Sequence, residues 1–178
     1  MEEGRTDLAP NNVYGLSKLM GEQLVTYKAK NGLNAIIIRP FMFYHEDETL
    51  GDHRSAMIRF VSSLLERRKI EVHKNSIRAW MHLDDAVVVL EKLCDYDHFV
   101  TLNIGNPEFH LMSFVAERIC DKLDIAYDDY VIETELPKKM TLTKIADFKL
   151  QEFITKYQCK ISLDEGLDRV IKSVKEKL

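Results

Sequence analysis

Pro10-Asn-Asn-Val-Tyr14-Gly-Leu-Ser17-Lys18-Leu-Met-Gly-Glu22 is the stretch on which the reading of this chain turns. Asn11 or Asn12 can cap a helix after Pro10. Leu16, Leu19, Met20, Leu24 and Tyr27 then recur at helical spacing until Asn31-Gly32 stops the pattern. Tyr14 and Lys18 are four apart, so the helix stacks phenol and ammonium on one face. An ammonium beside a phenol favours the phenolate, and a tyrosine in that setting can move a proton in mid-reaction. Tyr-x-x-x-Lys alone arises often by chance. Pro10, Gly15, Ser17 and the Leu19-Met-Gly-Glu22 run make this instance narrower.

Outward from that helix, Asn34-Ala-Ile-Ile-Ile-Arg39-Pro40-Phe41 is a short continuous apolar run, the pattern of a buried strand in a parallel sheet. Residues 45–53 read as a polar, acidic loop. Apolar spacing predicts helices over 55–68, 85–94, with Asp84 as cap, and 112–123. It also predicts short helices over 147–156 and 163–177, the last opened by a Ser162/Glu165 capping box. Strands are expected at 70–73, 79–82, 100–104 and 130–133, with a turn at Gly105-Asn-Pro107 and a basic loop after Pro137. Alternating strands and helices define an α/β protein.

The 178 residues carry 25 basic and 29 acidic side chains, a net charge of -4, which argues against general nucleic-acid binding. No apolar run approaches the roughly 20 residues that span a bilayer. Met1-Glu-Glu-Gly-Arg-Thr-Asp7 lacks the character of a secretory signal. Cys94, Cys120 and Cys159 form no CxxC pair, as expected of free thiols in a cytoplasmic protein.

The Tyr14–Lys18 stretch resembles the active-site helix of the extended short-chain dehydrogenase/reductases, the nucleotide-sugar epimerase/dehydratase family. Further stretches match that family in order: Ile38-Arg39-Pro40-Phe41, Ile77-Arg78-Ala-Trp-Met-His82-Leu-Asp84-Asp85, Leu102-Asn103-Ile104-Gly105 and Ser162-Leu-Asp-Glu-Gly-Leu167. The resemblance implies the C-terminal part of a Rossmann-type fold, with remnant parallel strands and a small α/β substrate-binding domain. Residues 1–45 would end the NAD(P)-binding domain and 46–178 would mainly bind substrate, with 100–105 returning to the cofactor-binding sheet.

The same resemblance implies roles. Tyr14 would be the acid/base, and Lys18 would assist it and hold the nicotinamide ribose. Pro40 and Phe41 would lie at the cofactor, while Met42, Arg78 and Lys138 would meet a nucleotide-diphosphate sugar. In the family reaction hydride leaves the sugar C4 for NAD or NADP as the tyrosine takes the hydroxyl proton. The keto sugar is then reduced from its other face or dehydrated. A homodimer through the 13–31 helix is an implied partner.

Departures stand beside these matches. The chain contains no Gly-x-x-Gly-x-x-Gly turn, and only thirteen residues precede Tyr14, too few for the family's upstream Ser or Thr. The expectation is therefore a piece whose cofactor-binding half is missing, with weak or no binding of NAD(P) by this chain alone. A non-catalytic binding or dimerisation module, or one subunit of a split enzyme, is the alternative. Met42 stands where the family usually has Asn, Ala79 follows Arg78 where it has Asp, and Lys138-Lys-Met140 replaces its Arg and Asp.

Several residues also carry plainer readings. Arg54, Arg59, Arg67, Arg68, Lys69, His73, Lys74 and Arg78 fit an anionic substrate or a solvated face equally. His45, Glu46, Asp47, Glu48, Asp52 and His53 match no compact metal-ligand set and read as a flexible loop. His82 reads as structural, Asp84 and Asp85 as helix caps, Asn103 as a strand-end hydrogen-bonder and Trp80 as core packing.

Overall fold

Asn12 opens the first helix by accepting a hydrogen bond from the Gly15 N–H at 2.8 Å, and α1 runs from Val13 to Ala29. A computed structural model describes residues 8–51, 53–137 and 145–178. After α1 come β1 (Ile36–Pro40), β2 (Phe43–Tyr44), α2 (Ala56–Leu65), β3 (Ile70–His73), β4 (Ile77–Ala79) and β5 (Met81–His82). Then follow α3 (Leu83–Cys94), β6 (Val100–Ile104), β7 (Phe109–Leu111), α4 (Met112–Leu123), α5 (Tyr127–Tyr130), β8 (Val131–Thr134), α6 (Lys149–Thr155) and α7 (Leu163–Lys177).

The strands pair two by two among the described residues. β1–β6, β2–β5 and β3–β8 are parallel, and β4–β7 is antiparallel. The apolar run at Ile36–Pro40 thus lies in parallel register with Val100–Ile104, as its unbroken hydrophobicity predicts.

The main core is built by α2, α4 and α7 against β3 and Trp80. Met57, Val61, Leu64, Val115, Ile119, Leu167, Val170 and Val174 are fully enclosed there. Their spacing of three and four along each helix makes a continuous apolar stripe. A second cluster joins α3 to β6 through Ala86, Val89, Leu93, Leu102 and Ile104, with Leu150 and Ile154 of α6 packed on it. A third and smaller one holds Ala79, Ala146 and Phe148, with Phe41 and Phe109 packed against it.

Differences from the sequence expectation have local causes. β2, β7 and α5 are too short to show a period. The strand expected at 79–82 is two pieces, because Trp80 turns into the core between β4 and β5. The cap of α3 is His82, whose Nδ1 accepts from the Asp84 N–H at 3.2 Å, so the helix begins before the acid expected to cap it. Only half of the expected capping box forms on α7. Ser162 Oγ accepts from the Glu165 N–H, but the Glu165 carboxylate pairs with Arg169 at 2.6 Å instead of reaching back.

Candidate functional site

α1 carries Tyr14 and Lys18 on its outer face, with the Lys18 ammonium over the phenol ring, 5.3 Å from its centroid. Tyr14 is 73% exposed. Asn12 and the helical geometry fix the pair's spacing, and an ion pair ties this helix to the sheet. Arg39 on β1 donates from Nε and Nη2 to the two carboxylate oxygens of Glu22 at 2.8 and 2.6 Å. Both side chains are largely buried, and a guanidinium forked onto a carboxylate fixes orientation as well as distance. This clamp lies inside the quoted motifs, yet its two ends are seventeen residues apart and no local pattern links them.

At the end of β1, Pro40 lies opposite Ile104 and the Phe41 N–H donates to the Ile104 carbonyl at 2.9 Å. Phe41 meets Phe148 edge-on at 5.5 Å, and Phe109 stacks on Phe148 at 6.1 Å. Gly105 makes room for this, since a Cβ there would come within 2.5 Å of the Phe148 ring. The buried Gln151 side chain holds both Gly105 backbone groups, accepting from its N–H at 2.9 Å and donating to its carbonyl at 3.1 Å. Asn103 donates to the Asp147 carbonyl at 3.2 Å, so it binds across the chain from its strand end. A cavity of about 490 Å³ opens beside these rings, lined by Pro107, Phe109, Ile145 and Phe148.

Met42 follows with φ of 44°, a left-handed backbone uncommon for a side chain of its size. Its carbonyl accepts from the Met81 N–H, which carries β2 onto β5. Arg78 sits three residues before Met81, on β4, buried, with its Nη1 donating to the Ile77 carbonyl at 2.7 Å. Burial disfavours its charged form and lowers its pKa from the ordinary arginine value. Phe41 and Ala79, next to Arg78, share the third cluster, so the end of β1 and the Arg78 strand occupy one region. Tyr14 and Lys18 stand on the exposed helix, joined to that region through the Glu22–Arg39 clamp and β1. Lys138 lies outside the described residues.

The basic residues expected to concentrate charge are largely engaged locally. Arg68 pairs with Glu66, Lys74 with Glu135 at 3.5 Å, His73 with Thr134 at 3.2 Å, and Arg67 lies over the Tyr130 ring.

The acidic loop after β2 is tied down. Glu46 accepts from buried His82 Nε2 at 2.7 Å, and its carbonyl accepts from Ser173 Oγ and Lys177 Nζ of α7, each at 2.7 Å. Glu48 accepts from the Ser55 N–H at 2.7 Å. Of the loop residues considered for a metal, Asp52 lies outside the described residues. The fold instead gathers His45, His82 and Asp84, with one atom of each within 4.8 Å of the others. The backbone N–H of Asp47 points at His45 Nδ1, and that of Asp84 at His82 Nδ1. Both Nδ1 atoms are thus met by backbone donors, and both Nε2 atoms face carboxylates, His82 that of Glu46 at 2.7 Å and His45 that of Asp84 at 3.4 Å. Arg169 adds a positive charge 3.0 Å from Asp84.

Burial alone would raise the Glu46 pKa. Its own backbone N–H, the His82 hydrogen bond and the nearness of the His45 and His82 rings outweigh that, and the net shift is downward. Asp85 is no helix cap: buried, it accepts from Tyr157 Oη at 2.6 Å and from the Lys160 and Ile161 N–H groups at 3.0 Å, pinning the 157–161 segment to α3. Tyr44, packed edge-on against Trp80 and His82, has its phenol pKa raised by burial and then by Asp85 and Glu46.

Parallel strand pairs, a tyrosine–lysine pair on the helix before β1 and a buried arginine beyond its end are set in an α/β fold. The NAD dependent epimerase/dehydratase family matches residues 1–105, and the chain belongs to that family. Among curated proteins none matches it.

Similar solved structures include the dTDP-glucose 4,6-dehydratase of Bacillus anthracis in complex with NAD, at 18% identity and a TM-score of 0.83, covering 97% of this chain and 55% of that one. The UDP-glucuronic acid 4-epimerase of Bacillus cereus, in complex with UDP-glucuronic acid and NAD, gives 19%, 0.84, 96% and 55%. The UDP-glucose 4-epimerase of Thermotoga maritima with UDP-glucose gives 18%, 0.85, 95% and 55%. The chain thus spans little more than half the length of these proteins. Among the described residues no helix is long and apolar enough to cross a membrane.

Proposed function

We propose that this chain is the C-terminal, substrate-side portion of an NAD(P)-dependent nucleotide-sugar epimerase or dehydratase. Residues 1–45 complete a cofactor domain whose remainder lies elsewhere, and 46–178 mainly bind substrate. The carrying observation is that the family match over residues 1–105 spans Tyr14, Lys18, Pro40, Phe41, Met42 and Arg78 together. Tyr14 exchanges a proton with a sugar hydroxyl, with the Lys18 ammonium standing over its ring. Arg78 forks onto the diphosphate, assisted by Met42 and Lys138 around the sugar nucleotide.

The nicotinamide cofactor supplies the hydride chemistry when bound. Lys18 would hold its ribose, and Pro40 and Phe41 its ring. The chain has no glycine-rich turn to let a helix N-terminus receive the pyrophosphate, so half of a cofactor site fits and half does not. Tyr14→Phe in the active assembly is expected to lower turnover by 10²-fold or more, the usual scale for a lost general acid/base. Unchanged turnover would remove Tyr14 from the chemistry. Calorimetry of this chain with NAD is expected to show no micromolar binding.

A second reading rests on the bare face of α1. Leu16, Met20, Leu24 and Tyr27 are all exposed along it. A homodimer formed through residues 13–31, without catalysis, would cover them. Sedimentation of the chain with Leu24→Glu tests this: a dimer that dissociates on the substitution supports the reading, and a monomer in both forms removes it.

A further inference from the structure

We infer that His110 is a second contact for the anionic part of the substrate, standing beside Arg78. The inference rests on the nucleotide-sugar reading above and adds a residue to that site. β4 and β7 run antiparallel with Arg78 directly opposite His110. Residues so paired leave the sheet on the same face, with their Cβ atoms about 4.5–5.5 Å apart. A buried guanidinium and an imidazole therefore emerge side by side.

The imidazole is held but not satisfied. Its ring stacks on Phe114 at 5.4 Å with 13° between planes, which fixes the direction of its nitrogens. Nε2 is buried and has no hydrogen-bond partner among the described residues. Glu108 Oε2 stands 3.6 Å away, an ion-pair separation but too long for a hydrogen bond, and its side chain is mostly in solvent. A buried ring nitrogen left without a partner has given up its water contacts with nothing in return. A phosphate oxygen gripped by Arg78 offers an acceptor to the neighbouring Nε2–H, and a donor beside a guanidinium suits a diphosphate better than a single carboxylate. None of the family motifs quoted from the sequence includes His110. Its significance lies in the strand register, which joins residues thirty-two apart.

The test is calorimetry of the 178-residue chain with UDP, dTDP and inorganic pyrophosphate, with uridine as the phosphate-free control. His110→Phe keeps the ring stacked on Phe114 and removes the nitrogen. It is expected to weaken UDP, dTDP and pyrophosphate binding roughly tenfold, the scale of one charge-assisted hydrogen bond, and to leave uridine binding unchanged without lowering the melting temperature. His110→Gln, which keeps a donor, restores part of the loss. In the unsubstituted chain the ¹⁵N resonance of His110 Nε2 moves on saturation with pyrophosphate, a signature that a purely structural histidine would not give. If Arg78→Lys loses binding while His110→Phe does not, or the Nε2 resonance stays in place, the role of His110 is overturned and the nucleotide-sugar reading stands. If the unsubstituted chain binds none of the phosphate-bearing probes, that reading falls and the role of His110 with it.

Discussion

Helices α1 and α7 have similar lengths, seventeen and fifteen residues, and both carry apolar side chains at three- and four-residue spacing. Their fates are opposite. On α7, Leu163, Leu167, Val170, Ile171 and Val174 are buried against α2 and α4, whereas α1 has no buried residue. The stripe of α1, from Val13 through Leu16, Met20 and Leu24 to Tyr27, faces outward. Gly15, Leu19, Glu22, Val25, Thr26 and Ala29 are partly covered, and from among them Glu22 reaches Arg39 on β1. Burying a large apolar side chain contributes about 1.5–3 kcal/mol. The α1 stripe forgoes most of that, and the helix is held by its cap and the Glu22–Arg39 clamp. Periodicity therefore identifies a helix and its apolar face, but not what that face meets.

The sharpest test of this contrast pairs two leucines. Leu167→Ala, at a fully enclosed site, is expected to lower the unfolding free energy by about 2–5 kcal/mol. Leu24→Ala, 61% exposed on α1, should change it by less than about 0.5 kcal/mol. Urea unfolding measures both, and equal losses would mean that α1 is as well packed as α7.

Gly166→Ala probes how tightly α7 is seated. A Cβ there would overlap the Tyr44 hydroxyl. Overpacking of about 1–3 kcal/mol exceeds the helix-propensity gain of about 1 kcal/mol that alanine brings. Thermal melts should show net destabilisation, partly relieved when Tyr44→Phe is added. Independent, additive effects would deny the contact.

Glu46 links α7 to the loop after β2 and gives that side of the molecule an acid dependence. Its carboxyl is held below the ordinary glutamate value in the fold. A depressed carboxylate contributes stability that is present above the unfolded pKa and lost as pH falls through the folded one. Stability should therefore fall as the pH drops below the ordinary glutamate range near 4, and Glu46→Gln should make that limb shallower. An unchanged acid limb would show that the His82 contact carries no linkage.

Glu22→Gln is expected to cost under about 1 kcal/mol globally. Hydrogen exchange should nonetheless quicken across the α1 amides and leave α7 amides protected. Uniform quickening would make the two helices one cooperative unit.

Much of the architecture is readable from local pattern. The caps at Asn12 and Ser162, the parallel character of Ile36–Pro40 and the family motifs through Arg78 all rest on spacing and residue type. The short elements β2, β7 and α5 hold too few residues for a period to emerge. The expected caps Asp84 and Asp85 went elsewhere, because His82 is held by Glu46 across the fold and already supplies the cap, which leaves Asp85 to receive the 157–161 segment. The Gln151–Gly105 bonds and the His110–Arg78 register have no sequence signal, since each joins residues tens of positions apart.

The sequence by itself determined the longer helices and strands, the placing of Tyr14 and Lys18 on one face of α1, and the family to which the chain belongs. Those follow from interactions within a turn or two of chain, where residue type and spacing are sufficient. Tertiary structure alone decided that Asp85 is an anchor, that Glu46 is a junction, that Gly105 must make way for Phe148 and that His110 stands beside Arg78. Each depends on which distant backbone donors and side chains arrive at the same place, and short-range periodicity carries no record of that.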